Sequence, residues 1–371
     1  MRILVLNPGS SSLKASLIEQ PGDRTVARLE RDWGSDATRQ AGREEDLRAV
    51  VNDLGGQNRS IDAVGYRVVH GGSRFAAPAV VDDGVLSAIR ELDALAPLHN
   101  AIAAETIEAG RRLLRKAPHI ACFDTAFHAG LPDTARRYPL PEAWYAEWGV
   151  RRYGFHGLSV AWSVQRAAEL LGRAPASDLQ LVVAHLGSGC SATAVAGGRT
   201  VDTSMGMTPL EGLMMGTRSG SVDPGILLHL LATDRLTVDE LAEAIGHRSG
   251  LLGVSGSSAS VRVLEAAAEA GDARALLALE MFAHRVAAGI ASVATSLERL
   301  DALVFTGGIG EHSHDTRQRI CARLSVLGVP EPTQPANGSD AVIAALDGRV
   351  VLRIVAREDV VIAREVAVAL A

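Results

Sequence analysis

Lysine is almost missing from this chain: of 37 basic residues only Lys14 and Lys116 are lysine, and the rest are arginine. A lysine directly behind the loop Ser10-Ser11-Ser12 is therefore conspicuous, because a compact ammonium on a flexible stem does what a planar fork cannot. Cysteine is scarce too. Cys122, Cys190 and Cys321 show no CxxC spacing, which excludes a disulfide framework and a zinc knuckle and leaves small buried hydrophobes in a reducing cytosol. His99, His156 and His185 lie in loops or at strand ends without a partner at metal-ligand spacing, so zinc is not expected. An excess of basic charge is also lacking. A net charge of −6 leaves no basic face for a nucleic-acid partner. The first apolar run stops at Asn7-Pro8-Gly9, too soon for a signal peptide, and no uninterrupted run approaches the ~20 residues of a membrane span. A cytoplasmic protein with no membrane partner is expected.

What is present suits two soluble domains: 371 residues, 47% hydrophobic and 22% charged. The organising stretch is Leu181 to Gly198, an apolar strand, a Gly/Ser loop and a second strand of small and β-branched residues. The same grammar opens the chain: Ile3 to Leu6, the loop Asn7-Pro8-Gly9-Ser10-Ser11-Ser12, then Leu13 to Ile18. Each reads as a β-hairpin whose turn lacks bulky side chains, so backbone N–H and hydroxyl groups can close around an anion. Two such hairpins suggest one architecture used twice, with phosphate held between the halves. A third loop is expected at Thr306 to Glu311, after the apolar run Leu303 to Phe305. The mixed order of strands and helices in two similar halves is α/β.

Several residues stand where chemistry is expected. Arg67 ends a strand before His70-Gly71-Gly72, and Arg218 is flanked by tiny residues in Gly216-Thr217-Arg218-Ser219-Gly220; an accessible guanidinium fork matches phosphoryl oxygens. Asp124 follows the strand His119 to Phe123, the position where open α/β sheets meet ligands. Glu358 begins the last helix and can reach a cation. Asp202 to Gly225 is a long aperiodic stretch, read as a functional loop or broken helix. The Gly-rich loops match neither the P-loop nor GxGxxG. These residues alone point to a two-domain phosphoryl-transfer enzyme or a nucleotide-driven switch.

The combination is more specific than its parts. Asn7-Pro8-Gly9-Ser10-Ser11-Ser12-Leu13-Lys14, Arg67-Val68-Val69-His70-Gly71-Gly72, Ala96-Pro97-Leu98-His99-Asn100, Phe123-Asp124-Thr125-Ala126-Phe127-His128, Arg152-Tyr153-Gly154-Phe155-His156-Gly157, the Asp202-to-Gly225 stretch and Phe305 to Glu311 occur in order. Along nearly its whole length the chain thus resembles the acetate kinase family. The resemblance implies a duplicated actin-like (ribonuclease H-like) ATPase core with the active site in the cleft between two domains. These are an N-terminal domain 1–149, closed by a C-terminal helix 359–371, and a nucleotide-binding and dimerisation domain 150–358, with hinges near Gly149 to Arg152 and Ala356 to Asp359. It implies transfer of the ATP γ-phosphoryl group to acetate, giving acetyl phosphate and ADP, with Mg²⁺ (Mn²⁺ as a substitute), in a homodimer.

Residue by residue, the resemblance makes Arg67, Asp124, His156 and Arg218 catalytic. Val69, Leu98, Phe155 and Pro209 would form the apolar wall around the acetate methyl, and Asn7 and Glu358 would position the metal. Ser12, Lys14, His185, Leu186, Gly187, Ser188, Gly189, Ser260, Val261, Arg262, Gly308, Ile309, Gly310, Glu311 and His312 would line the nucleotide. Ser188 replaces the family's usual Asn, and Ser258-Ala259-Ser260-Val261-Arg262 replaces its Ser-Ser-Asp-aromatic-Arg; both changes bear on the choice of phosphoryl donor. The acceptor, ionised at pH 7, needs no general base, so the chemistry is alignment and charge neutralisation. The alternatives are propionate as acceptor, a donor other than ATP, and a non-catalytic ATP-gated actin-like protein.

Overall fold

The computed structural model describes residues 1–9, 12–32, 40–55, 60–96, 99–333 and 338–371, with 40–43 described by backbone alone. Ser10, Ser11, Pro97 and Leu98, named above, lie outside the described residues. Two units are taken in turn: Met1–Ala129 with Phe155–Ser159 and Arg357–Ala371, and Gly130–Gly154 with Val160–Ala356.

In the first unit the opening apolar run forms β1 (Arg2–Pro8), which turns back antiparallel as β2 (Ser12–Glu19) and again as β3 (Arg24–Asp32). Helix α1 (Gln40–Gly55) leads to β4 (Ala63–Val68), parallel to β1. A short β5 (Ala79–Val80), helices α2 (Asp83–Glu91) and α3 (Asn100–Leu113), and β6 (His119–Phe123) complete a sheet ordered β3-β2-β1-β4-β6-β5. Alternation along the strands sorts their side chains onto two faces. Leu4, Leu6, Val64, Tyr66, Val68, Ala121 and Phe123 join Val50, Ile89 and Ile107 of α1, α2 and α3 in one buried core. The other parity belongs to helix α14 (Glu358–Ala369, last in chain order): a Cβ on Gly65 would come within 2.6 Å of Ile362 and 2.8 Å of Val366. Gly65 thus lets α14 lie directly on the strands, and Asn7 and Arg67 share its parity.

The second unit repeats the plan. After α4 (Asp133–Arg136), α5 (Glu142–Trp148) and α6 (Gly157–Leu170, whose first turn belongs to the first unit), the central hairpin forms β7 (Gln180–Leu186) and β8 (Cys190–Ala196), followed by β9 (Arg199–Thr203). Helices α7 (Pro224–Ala232), α8 (Val238–His247), α9 (Gly250–Ser255), α10 (Val261–Glu269) and α11 (Ala273–Ala294) precede β10 (Ala302–Thr306). Then come α12 (Gly307–His312), α13 (His314–Ala322), β11 (Ala341–Leu346) and β12 (Arg349–Arg353). The sheet runs β9-β8-β7-β10-β12-β11, matching the first strand for strand. Each has an antiparallel three-strand meander, two further parallel strands and an antiparallel edge strand that precedes its neighbour in the chain. The duplication expected from two hairpins is therefore present. Helix α11 is long and apolar enough to cross a membrane, yet it packs as a core helix, burying Leu279, Phe282, Val286 and Ile290 along one face.

Three local expectations change. The stretch Thr306 to Glu311 is not a third loop: the chain leaves β10 and enters α12 at once. The connection from Pro132 to Pro141, whose three prolines (Pro132, Pro139 and Pro141) suggest a loop, carries α4 and is followed by α5. The aperiodic stretch is a loop only from Ser204, because Asp202 and Thr203 finish β9 and Pro224 and Gly225 start α7.

Candidate active site

Strands β1, β4 and β6 are parallel neighbours, so their carboxyl ends lie side by side, the usual ligand position in such sheets. Asn7, Arg67 and Asp124 stand at those three ends, and Glu358 opens α14 on the same face. The guanidinium of Arg67 grips Asp124 bidentately, Nε to Oδ1 at 3.0 Å and Nη2 to Oδ2 at 2.6 Å. Its Nη1 donates to Asn7 Oδ1 at 3.2 Å and lies 3.6 Å from Glu358 Oε2. Asn7 Nδ2 closes the circuit, donating to Glu358 Oε2 at 2.9 Å. Burial pushes the Asp124 carboxyl above its ordinary value, while Arg67 and the His156 backbone N–H pull against it. Burial alone would lower Arg67, but Asp124 and Glu358 more than offset it and hold the guanidinium firmly charged. Four of the expected residues are thus one network: one cation shared by two carboxylates.

His156 joins the network through its backbone. Its N–H donates to the Asp124 carboxylate, and the next N–H, of Gly157, donates to the Asp124 carbonyl at 2.9 Å. The residue sits at φ +60°, a left-handed conformation rare outside glycine and stored where surrounding bonds enforce it. Gly157 admits no side chain, since a Cβ would fall 2.1 Å from the Asp124 oxygen. On the other side, fully buried His128 bonds the Phe155 carbonyl through Nε2 at 3.0 Å. Burial holds the His128 ring near a pKa of about 4, so it is neutral at physiological pH and donates from Nε2 to that carbonyl. Sequence reasoning quoted His128 but gave it no role. Val69 and Phe155 are both buried, just past β4 and just before His156.

Ser12 and Lys14 converge on a different group. Both approach Glu30 Oε1 of the neighbouring strand, at 3.2 and 3.9 Å, on an exposed edge. Lys14 stands opposite Asn7 in the hairpin register.

In the second unit the loop between β7 and β8 is closed tightly: Gly187 N–H donates to Gly189 O at 2.9 Å and the Cys190 thiol reaches Gly187 O at 3.4 Å. His185 and Leu186 end β7 before it, and Ser188 lies at its tip. Parallel pairing sets Thr306 beside His185, so α12 and its residues Gly308 to His312 begin next to that loop. Helix α12 is pinned at both ends. Glu311 Oε1 accepts Gly307 N–H at 3.1 Å and Ala356 N–H at 3.0 Å, and buried Arg317 donates to the Gly310 and Glu311 carbonyls at 2.9 and 3.0 Å. Arg218 donates to Pro209 O at 2.7 Å, and burial pulls its guanidinium below the ordinary value. Arg152 fixes the start of the long loop, bonding the Thr203, Ser204 and Met205 carbonyls and pairing with Glu211, which also takes the Tyr138 hydroxyl. Tyr138 and Arg317 were not singled out from sequence, and Arg152 only as part of a motif, because their partners, backbone oxygens for the two arginines and the Glu211 carboxylate for Tyr138 and Arg152, are not displayed by the local sequence. Ser260, Val261 and Arg262 sit at the start of α10, with Val261 buried and Arg262 exposed.

Chemically, the first unit offers an arginine fork with two hard-oxygen carboxylates and a carboxamide, and the second a half-buried arginine among small residues. Each suits anionic phosphoryl chemistry. The comparisons agree: a model of the Acetokinase family matches residues 2–364. The chain is 46% identical to acetate kinase of Deinococcus radiodurans, over 99% of this chain and 98% of that one. The solved acetate kinase of Porphyromonas gingivalis superposes with a TM-score of 0.87 at 34% identity, covering 100% of both chains. A propionate kinase from Francisella tularensis gives 0.86 at 33% identity over 98% of both. With its duplicated sheets, the strand-end network and matches across nearly all of its length, this chain belongs to the acetokinase family.

Proposed function

We propose that the protein is an acetate kinase, transferring the γ-phosphoryl group of ATP reversibly to acetate in a direct in-line step that gives acetyl phosphate and ADP. The observation that carries the reading is the Asn7–Arg67–Asp124–Glu358 network at three adjacent strand ends in a chain of this family. A small carboxylic acid has a pKa of about 4–5 and arrives ionised at pH 7, so no residue has to remove a proton. The difficulty is bringing an anion against a polyanion. Arg67 and Arg218 offer the charge that holds acetate and the transferring group, and His156, locked by its neighbours, stabilises the equatorial oxygens as charge develops. Val69, Phe155 and Pro209 are assigned to the apolar wall around the methyl group by their match to the family's residues, as is Leu98, which lies outside the described residues. Ser12, Lys14, the His185–Gly189 and Gly308–His312 segments and Ser260 to Arg262 serve the nucleotide.

The donor set fits Mg²⁺: Glu358, Asp124 and the Asn7 carboxamide are hard oxygen ligands, and Mg²⁺ is commonly held by one or two carboxylates together with substrate phosphates. Bound there, the ion would neutralise phosphate charge, with Asn7 and Glu358 positioning it directly or through water. We read the protein as a cytoplasmic homodimer. The dimer is supported by α7, whose Ile226 and Leu228 are 52% and 68% exposed on a helix with no buried residue.

Trapping of acyl phosphate with hydroxylamine tests the reaction. Acetate and Mg²⁺ with ATP, GTP or pyrophosphate in parallel should give hydroxamate with ATP; signal with another donor alone would move the enzyme to a different donor class, and no signal with any would overturn the reading. Propionate is the second acceptor to try, since the propionate kinase structure superposes as well as the acetate kinase one.

A further inference from the structure

We propose that Asn100 sets the width of the acceptor pocket, as a positioning residue acting through the backbone of His70; the inference rests on Val69 and Phe155 being the wall around the acyl tail. Residues 69–72 lie beyond the end of β4, so their buried backbone groups need partners other than a neighbouring strand. Asn100, fully buried at the start of α3, supplies them. Its Oδ1 accepts the His70 N–H at 3.0 Å and its Nδ2 donates to the His70 carbonyl at 2.9 Å. One carboxamide therefore clamps both sides of the same residue, next to Val69.

The clamp reaches Phe155 as well. The His70 ring meets the Phe155 ring edge-on, centroids 5.3 Å apart, and its Nδ1 accepts the Gly72 N–H at 2.9 Å, which fixes the ring. Thr125 Oγ1 takes the Gly71 N–H at 3.0 Å, so the segment is tied on both flanks. Any widening of the wall must break a buried, satisfied hydrogen bond, which makes the wall stiff. Stiffness is what an apolar pocket needs to tell acetate from propionate, because one methylene is worth only about 10–200-fold.

Asn100→Ala and Asn100→Asp test this; the second keeps the shape and the acceptor oxygen but loses the donor. With Mg²⁺ and ATP, kcat/KM is measured for acetate and propionate, with circular dichroism confirming folding. The propionate-to-acetate ratio is expected to rise about 5- to 20-fold in Asn100→Ala and less in Asn100→Asp, with the KM for ATP unchanged. Equal loss for both acceptors, or an unchanged ratio, would overturn the proposal by showing support of the fold alone. If Asn100→Ala does not fold, Asn100→Asp decides by the same criterion. Val69→Ala widens the wall directly: a shifted ratio there with none at Asn100 removes only this inference. No shift at Val69 removes the wall assignment and this inference with it.

Discussion

Asp124 carries two jobs, holding Arg67 by its carboxylate and the His156 segment by that carboxylate and its backbone carbonyl. Asp124→Asn keeps the shape but withdraws the negative charge that orients the fork. Turnover should fall about 10²–10³-fold with substrate KM values little changed, and a pure KM effect would refute this role. Two buried groups nearby act oppositely on stability. His128 is held near a pKa of about 4, against 6.5 for an ordinary imidazole, so its neutral form favours folding above pH 6.5 and that contribution is lost as pH falls toward 4. Glu365, on the inner side of α14, is raised by burial to about 7, so the cost of its charge sets in as pH rises above the ordinary 4.5 and is complete above 7. Thermal melts of Glu365→Gln should therefore gain on the parent between pH 4.5 and 7, by on the order of 2–3 kcal/mol, and parallel curves would reject the assignment. At this scale the sequence was legible where chemistry shows in a motif. Arg67 and Asp124 announce themselves by standing at strand ends. His128 and Asn100 do not, because their partners lie 27 and 30 residues away in the chain.

Among the elements, the strands were easiest to read, since unbroken apolar runs bounded by glycine and proline have few other solutions. Helix α12 was not legible. Its sequence Gly-Gly-Ile-Gly-Glu-His is poor in helix propensity, and the helix exists because Glu311 and Arg317 supply bonds from outside its own ladder. Edge strand β11 and helix α7 were missed for a related reason: with β11 half-exposed and α7 bare of buried residues, neither alternates cleanly between apolar and polar. The contact of β4 with α14 makes its own prediction. Gly65→Val would force β-branched side chains apart where even a Cβ meets Ile362 at 2.6 Å. Overpacking of this kind costs about 1–3 kcal/mol, and because α14 carries Glu358, the Mg²⁺ concentration needed for activity should rise along with the loss of Tm. A lower Tm with unchanged Mg²⁺ dependence would separate the helix from the site.

For the whole molecule, one strand plan used twice was readable from two Gly/Ser hairpins, although the matching edge strands were not. The two copies have diverged in chemistry: the first places a carboxylate network at its strand ends, the second glycine loops and buried arginines. The proposed dimer contact through α7 predicts that Leu228→Glu shifts sedimentation toward monomer, and an unchanged sedimentation coefficient would remove α7 from that role. The membership of α14 in the first unit has a consequence for biosynthesis. A ribosome releases β1, β4 and β6 early, but the helix that covers one face of their sheet emerges only after the entire second sheet has been made. The later-made unit can therefore finish folding first, while the earlier one waits with an apolar face uncovered, a nascent-chain surface for chaperones to shield.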